Sequence, residues 1–137
     1  MRQKIKKYAL ISSLALLMTI FSRTQAQKLD AAPSKQFIRQ GIASWYSKES
    51  PGSKPRTANN EVLNDQALTY AICGVQFGRL IKVRNVENGK SIVVRCNDRG
   101  PDEPFIRQGR IIDLTKEAFS RLSPSGKGLI PVQIEFL

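Results

Sequence analysis

The chain has 137 residues, room for one domain, and its 22 Lys and Arg against 11 Asp and Glu give a formal net charge of +11. It contains no histidine, which excludes Ser-His-Asp and Cys-His nucleophilic systems and leaves carboxylates as the available acids and bases. Two cysteines without CxxC spacing fall short of a zinc set, and no P-loop or GxGxxG is present, so neither a metal nor a cofactor is expected.

The first 26 residues read as a secretory signal peptide. "MRQKIKKY" supplies a basic head, "ALISSLALLMTIF" an apolar run too short to favour a membrane span, and Thr24 and Ala26 the small residues before a cut ahead of Gln27. The leader holds five of the basic residues and none of the acidic ones, so the exported chain keeps 17 against 11, a charge of +6. That charge favours a polyanionic neighbour. Export, and the lack of basic clusters interleaved with aromatics, argue against nucleic acid. The exported protein is expected to be periplasmic or secreted, soluble, without a lipid anchor and without a membrane segment. Residues 27–39 read as a flexible lead-in and 40–137 as the folded domain.

Strand signals dominate the domain. "GIASWY" (41–46) is followed by a long polar loop, "SKESPGSKPRTANNE" (47–61), and by a second short strand, "ALTYAI" (67–72). "RLIKVRNV" and "SIVVRC" flank "ENGK", which predicts a hairpin with Asn88-Gly89 as its positive-φ turn. Alternation places Ile81 and Val83 on one face and Ile92, Val94 and Cys96 on one face of the partner. "GRIIDL" (109–114) predicts a strand running into one helix, "TKEAFSRL", with Thr115 as N-cap and Ala118, Phe119 and Leu122 inward. "IPVQIEFL" closes the chain with Val132, Ile134 and Phe136 on one face. Six or so short strands and one helix predict a small β-barrel.

Three carboxylates stand out. Asp98 ends a strand in the cluster "NDRGP", which concentrates hydrogen-bonding groups but is also ordinary turn chemistry. Glu61, at the end of the polar loop, is a functional group or a solvated charge. Asp113 reads as structural, placed to cap the helix or pair with an arginine. Chemistry run on carboxylates alone is chiefly sugar chemistry. Trp45 and Tyr46 face opposite ways in a strand, one toward the core and the other able to stack on a sugar ring. An even cysteine count in an exported chain suggests a disulfide between Cys73 and Cys96, with two separate buried thiols as the alternative.

In this order, "GIASWY", "TANNE", "ALTYA", "FGRLIKVRNVENGKSIVVRCNDRGP" and "GRIIDLTKEAF" resemble the rare lipoprotein A (RlpA-like) family over about residues 40–137. The resemblance implies a mainly β fold, a six-stranded double-psi β-barrel also found in the expansin N-terminal domain and in barwin. It also implies a bacterial envelope location and peptidoglycan glycan strands as partner. Some members are endolytic lytic transglycosylases that cleave MurNAc–GlcNAc bonds in peptide-free strands with a 1,6-anhydro product. By this resemblance Asp98 is the acid/base and Glu61 a second essential carboxylate. Ser44, Tyr46, Thr57, Asn97 and Arg99 would bind substrate, with Arg99 holding the lactyl carboxylate of muramic acid. Ile72 stands where the family has a histidine, which keeps a non-catalytic, expansin-like binding module as the alternative. Against the family's pattern, neither a lipid-anchor cysteine after the leader nor a sporulation-related repeat after the barrel is expected.

Overall fold

The computed structural model describes residues 38–137; the leader, its cut before Gln27 and lead-in residues 27–37 lie outside the described residues. In chain order the elements are β1 (Ile38–Tyr46), β2 (Thr69–Ala71), β3 (Leu80–Asn85), β4 (Ser91–Asp98), α1 (Glu103–Ile106), β5 (Arg110–Thr115), α2 (Lys116–Leu122), a 3-10 turn (Ser125–Lys127) and β6 (Ile130–Phe136). The six strands close into a barrel in the order β1-β5-β2-β4-β3-β6. β1 runs parallel to β5 and β2 parallel to β4, while the other neighbours are antiparallel. The expected double-psi barrel is therefore present. Its first strand begins at Ile38, ahead of the expected boundary at 40, because residues 38–40 still find partners on β6.

Alternation does what the pattern predicts. Along β3, Ile81, Val83 and Asn85 are buried while Leu80, Lys82 and Arg84 are exposed. Ile81, Val83, Val94, Cys96, Ile112, Leu114, Val132 and Ile134 meet inside the barrel with Tyr70 and Ile72. Helix α2 adds Ala118, Phe119 and Leu122 to the same cluster and packs against β1, β4 and β5. Burying one such aliphatic or aromatic side chain stabilises the fold by roughly 1.5–3 kcal/mol.

Several local details depart from expectation. The β3–β4 connection is a five-residue loop in which only Gly89 has a positive φ, 76°. Asn85 and Asn88 both donate to the Leu122 carbonyl at the end of α2, which fixes this wider loop. Thr115 precedes α2, but its hydroxyl donates to the Ala67 and Thr69 carbonyls and makes no cap. The exposed helix-start donor of Glu117 bonds instead to the Asp65 carbonyl at 3.0 Å. A one-turn helix, α1, was not legible in the sequence.

The expected Cys73–Cys96 disulfide is absent; both thiols are free. Cys96 points into the barrel, its sulfur 3.9 Å from the carbonyl oxygens of Val75 and Asp98, while Cys73 lies exposed outside. Alternation puts Cys96 on the buried face of β4, whereas Cys73 lies past the end of β2 in an exposed turn. In the native protein a thiol reagent should therefore modify Cys73 readily and Cys96 only on unfolding; two equally slow thiols would contradict this placement. Phe119→Ala should cost about 3–5 kcal/mol in urea unfolding. Val86→Ala, at an exposed loop position, should stay within about 0.5 kcal/mol.

Candidate functional site

At one end of the barrel, register lines up four residues on adjacent strands. Ser44 of β1 pairs with Asp113 of β5, Asp113 with Ala71 of β2, and Ala71 with Asp98 of β4. Residues that pair across strands share a face. With strands about 4.8 Å apart, the two aspartates stand about 10 Å apart at Cα. The residue between them is an alanine, and that small side chain leaves the space open.

Asp98 reaches this row through a β-bulge. Ile92, Val94 and Cys96 share the inward face, so strict alternation would send Asp98 inward as well. The register shifts between Tyr70 and Ala71: Tyr70 faces Cys96, but Ala71 faces Asp98. Asn97 is the extra residue, and it turns Asp98 to the outer face.

A groove of about 640 Å³ opens over the row. Its lining includes Tyr46, Ala71, Asp98 and Asp113 from the barrel, residues 50–54 and 56–58 from the long loop, and Asp102, Phe105 and Arg110 from the segment after β4. Gly100 sits against the second carboxylate: a Cβ there would come within 3.0 Å of Asp113 Oδ2. With a φ of 153° this position favours glycine, which keeps Asp113 uncovered.

The two aspartates have different surroundings. Asp98 Oδ1 accepts the backbone N–H groups of Ala58 (2.9 Å) and Arg99 (2.8 Å), which fixes its orientation and ties the long loop to β4. Asp113 accepts the Ser44 hydroxyl and has Arg110 3.8 Å away. Burial nevertheless pushes its carboxyl above the ordinary range; Ser44 and Arg110 oppose that rise, and Asp102 and Asp98 add to it. The Tyr46 hydroxyl is buried without a well-formed hydrogen bond. Burial first, then the charges of Asp98 and Asp113, hold it in its neutral form well above its usual pKa.

Glu61 belongs to a neighbouring network and does not line the groove. Arg95 grips both its oxygens, at 2.8 and 2.9 Å, and Asn59 and Asn97 donate at 2.7 and 3.1 Å. These bonds, with the Arg95 guanidinium first, lower its pKa to about 2. The same network shapes the loop: Thr57 N–H bonds to the Glu61 carbonyl and Asn59 N–H to the Asn97 carbonyl. Asn60 takes a positive φ of 71° between them. Ala58, the donor to Asp98, lies inside this turn.

Of the residues expected at the site, Asp98, Arg99, Tyr46 and Thr57 line the groove. Ser44 lies behind Asp113, and Asn97 and Glu61 lie beside the groove in the Arg95 network. The Arg99 guanidinium is turned away onto the Phe77 ring (3.7 Å) and the Ile72 carbonyl. Ile72 is buried in the core. Trp45 packs against the core and donates to the Ser125 carbonyl, so Tyr46 is the member of that pair that faces the groove. Asp113 pairs with an arginine as expected but caps no helix, and its place in the groove was missed. Among the described residues no group of three or more acidic or cysteine side chains converges as a metal site.

The depressed pKa of Glu61 has a pH signature. Its share of stability is complete above the ordinary value of 4.5 and is lost as pH falls through about 2. Because the carboxyl side chain is 40% exposed, solvent screening keeps that share modest. Glu61→Gln should lower the urea midpoint near neutral pH, and the difference from wild type should close in that acid window. A gap constant across the range would contradict the ion pair.

Comparisons with known proteins bear on the family and the fold. A family model described as lytic transglycolase matches residues 38–134. The chain is 43% identical over 106 residues to the probable endolytic peptidoglycan transglycosylase RlpA of Nostoc sp., covering 77% of this chain and 28% of that protein. It is 41% identical over 97 residues to endolytic peptidoglycan transglycosylase RlpA of Campylobacter jejuni, covering 71% of this chain and 33% of that one. The chain thus spans about a third of the length of these relatives. In fold it is similar to the Streptomyces papain inhibitor (TM-score 0.57, 21% identity, 74% of this chain and 94% of that chain). It is also similar to an expansin of Clavibacter michiganensis (TM-score 0.55, 19% identity, 74% and 50%). With a matching family model across most of its length and relatives above 40% identity, the chain belongs to the lytic transglycolase family.

Proposed function

We propose that this domain is an endolytic peptidoglycan lytic transglycosylase of the cell envelope, cleaving MurNAc–GlcNAc bonds in peptide-free glycan strands with a 1,6-anhydro product. The observation that carries it is the pair Asp98 and Asp113, held on either side of Ala71 at the floor of an open groove. The names of the relatives support the substrate. The reading includes export, with the barrel meeting its substrate outside the cytoplasm.

In this mechanism the substrate supplies the nucleophile. The muramic 6-hydroxyl attacks its own C1, the bond from C1 to the O4 of the next sugar breaks, and O4 takes a proton. Asp113, whose burial favours the protonated form, donates that proton; Asp98 accepts the proton of the 6-hydroxyl. Solvent then restores both groups. Tyr46, neutral and with its hydroxyl beside Asp98, lines the wall next to them. Thr57 lines the same groove, while Ser44 orients Asp113.

The remaining residues take supporting parts. Glu61 positions: through Arg95, Asn59 and Asn97 it shapes the turn that delivers Ala58 N–H to Asp98. Arg99 contributes its backbone N–H to Asp98, while its guanidinium is engaged elsewhere. Lys54, a lining residue without a charged partner among the described residues, is the better contact for the lactyl carboxylate. The second reading, a binding module that does not cut, draws on Ile72: the place of the family's histidine is buried and carries no proton donor.

Incubation with denuded glycan strands and mass spectrometry separate the readings. The wild type should release anhydromuramic products. Asp98→Asn and Asp113→Asn should each lose about a hundredfold or more while remaining folded and able to bind glycan. Activity should fall as pH rises through the raised pKa of Asp113, since the protonated form is required. Binding without any product would leave the non-catalytic module, and neither binding nor product would refute the groove as a glycan site.

A further inference from the structure

The segment between β4 and β5 carries apolar surface that the barrel does not use. Helix α1 buries none of its residues, and Phe105 and Ile106 remain 40% and 41% exposed. Phe105 nevertheless belongs to the groove lining, and the described contact of its ring is the Arg110 guanidinium at 4.2 Å. Arg110 in turn reaches Asp113 at 3.8 Å. An aromatic ring is thus held in the groove wall, one guanidinium away from the buried acid.

That arrangement has the chemistry of a sugar platform. The C–H face of a pyranose packs on an aromatic ring, and its hydroxyl or acetamido oxygens accept from N–H donors beside it. Arg110 both stiffens the ring by stacking and offers such donors. Trp45 is committed to the core, and Tyr46, the second aromatic of the groove lining, lies beside Asp98 and Asp113.

We propose that Phe105, backed by Arg110, forms a saccharide-stacking subsite that seats a sugar residue flanking the scissile bond. This rests on the glycan-cleaving reading of the same groove and adds the residue that holds the strand in register. Phe105 acts by binding, so its loss should fall on affinity and leave the proton chemistry of Asp98 and Asp113 in place.

The test compares wild type, Phe105→Ala and Phe105→Trp on denuded glycan strands, by equilibrium binding and by release of anhydro product across pH. Phe105→Ala should raise Kd and KM about fivefold to tenfold, the scale of one aromatic contact. Phe105→Trp should restore both, and the alkaline limb of the pH profile should stay where it is. Unchanged Kd and KM in Phe105→Ala would overturn the subsite while leaving the cleavage reading intact. So would a shifted pH limb with unchanged Kd, since the ring would then serve only to hold Arg110 over Asp113. Weaker binding by Phe105→Ala in a protein that never cuts would support the subsite and refute the enzyme. Absence of glycan binding by the wild type would refute both.

Discussion

The site depends on one irregularity, the bulge at the end of β4. Without it the alternation of Ile92, Val94 and Cys96 would carry Asp98 into the apolar core, where an unpaired carboxylate is costly. The extra residue, Asn97, returns Asp98 to the outer face in register with Ala71 and Asp113. Pairing of β1 with β5, of β5 with β2 and of β2 with β4 then sets Ser44, Asp113, Ala71 and Asp98 side by side across four strands. A closed barrel gives these strands no freedom to slide, so the spacing of the two aspartates is a property of the fold.

Electrostatics divides the labour among carboxylates that look alike in sequence. Glu61 is surrounded by donors, which lower its pKa to about 2. Asp98 is oriented by two backbone N–H groups at the groove floor. Asp113 is the buried one, and burial outweighs Ser44 and Arg110 in setting the direction of its shift. Two carboxylates in one groove, one oriented by backbone donors and the other buried and shifted upward, suit a reaction that must give one proton and take another. The Arg95 network sits one step back, yet it shapes the turn from which Ala58 reaches Asp98. Loop order and groove chemistry are therefore coupled through a salt bridge outside the groove.

Much of the barrel was legible because period-2 alternation is a local signal. Ile81 and Val83, Val132 and Ile134, and the helix face of Ala118, Phe119 and Leu122 all bury as the pattern says. Asp98 was legible from the density of polar residues at a strand end. Asp113 pairs with Arg110 as read from the sequence, but its place in the groove was not legible because its neighbours in the row, Ser44 and Ala71, lie on strands far away in sequence, and only tertiary register shows them together. The bulge that frees Asp98 was equally invisible, since alternation cannot announce its own interruption. Glu61 was found, but its arginine partner comes from β4, 34 residues on. An even cysteine count likewise says nothing about burial, and here one thiol is exposed and the other buried, with no bond between them.

The central claim is that burial makes Asp113 hold its proton more tightly than an ordinary aspartate, in the groove it shares with Asp98. Carbon-detected NMR titration of the aspartate carboxyl groups tests it directly, with Asp113→Asn assigning the signal. The account predicts a midpoint for Asp113 above the ordinary aspartate value of 3.8. A midpoint at or below that value would contradict it, because Asp113 would then be ionised where the reaction needs an acid.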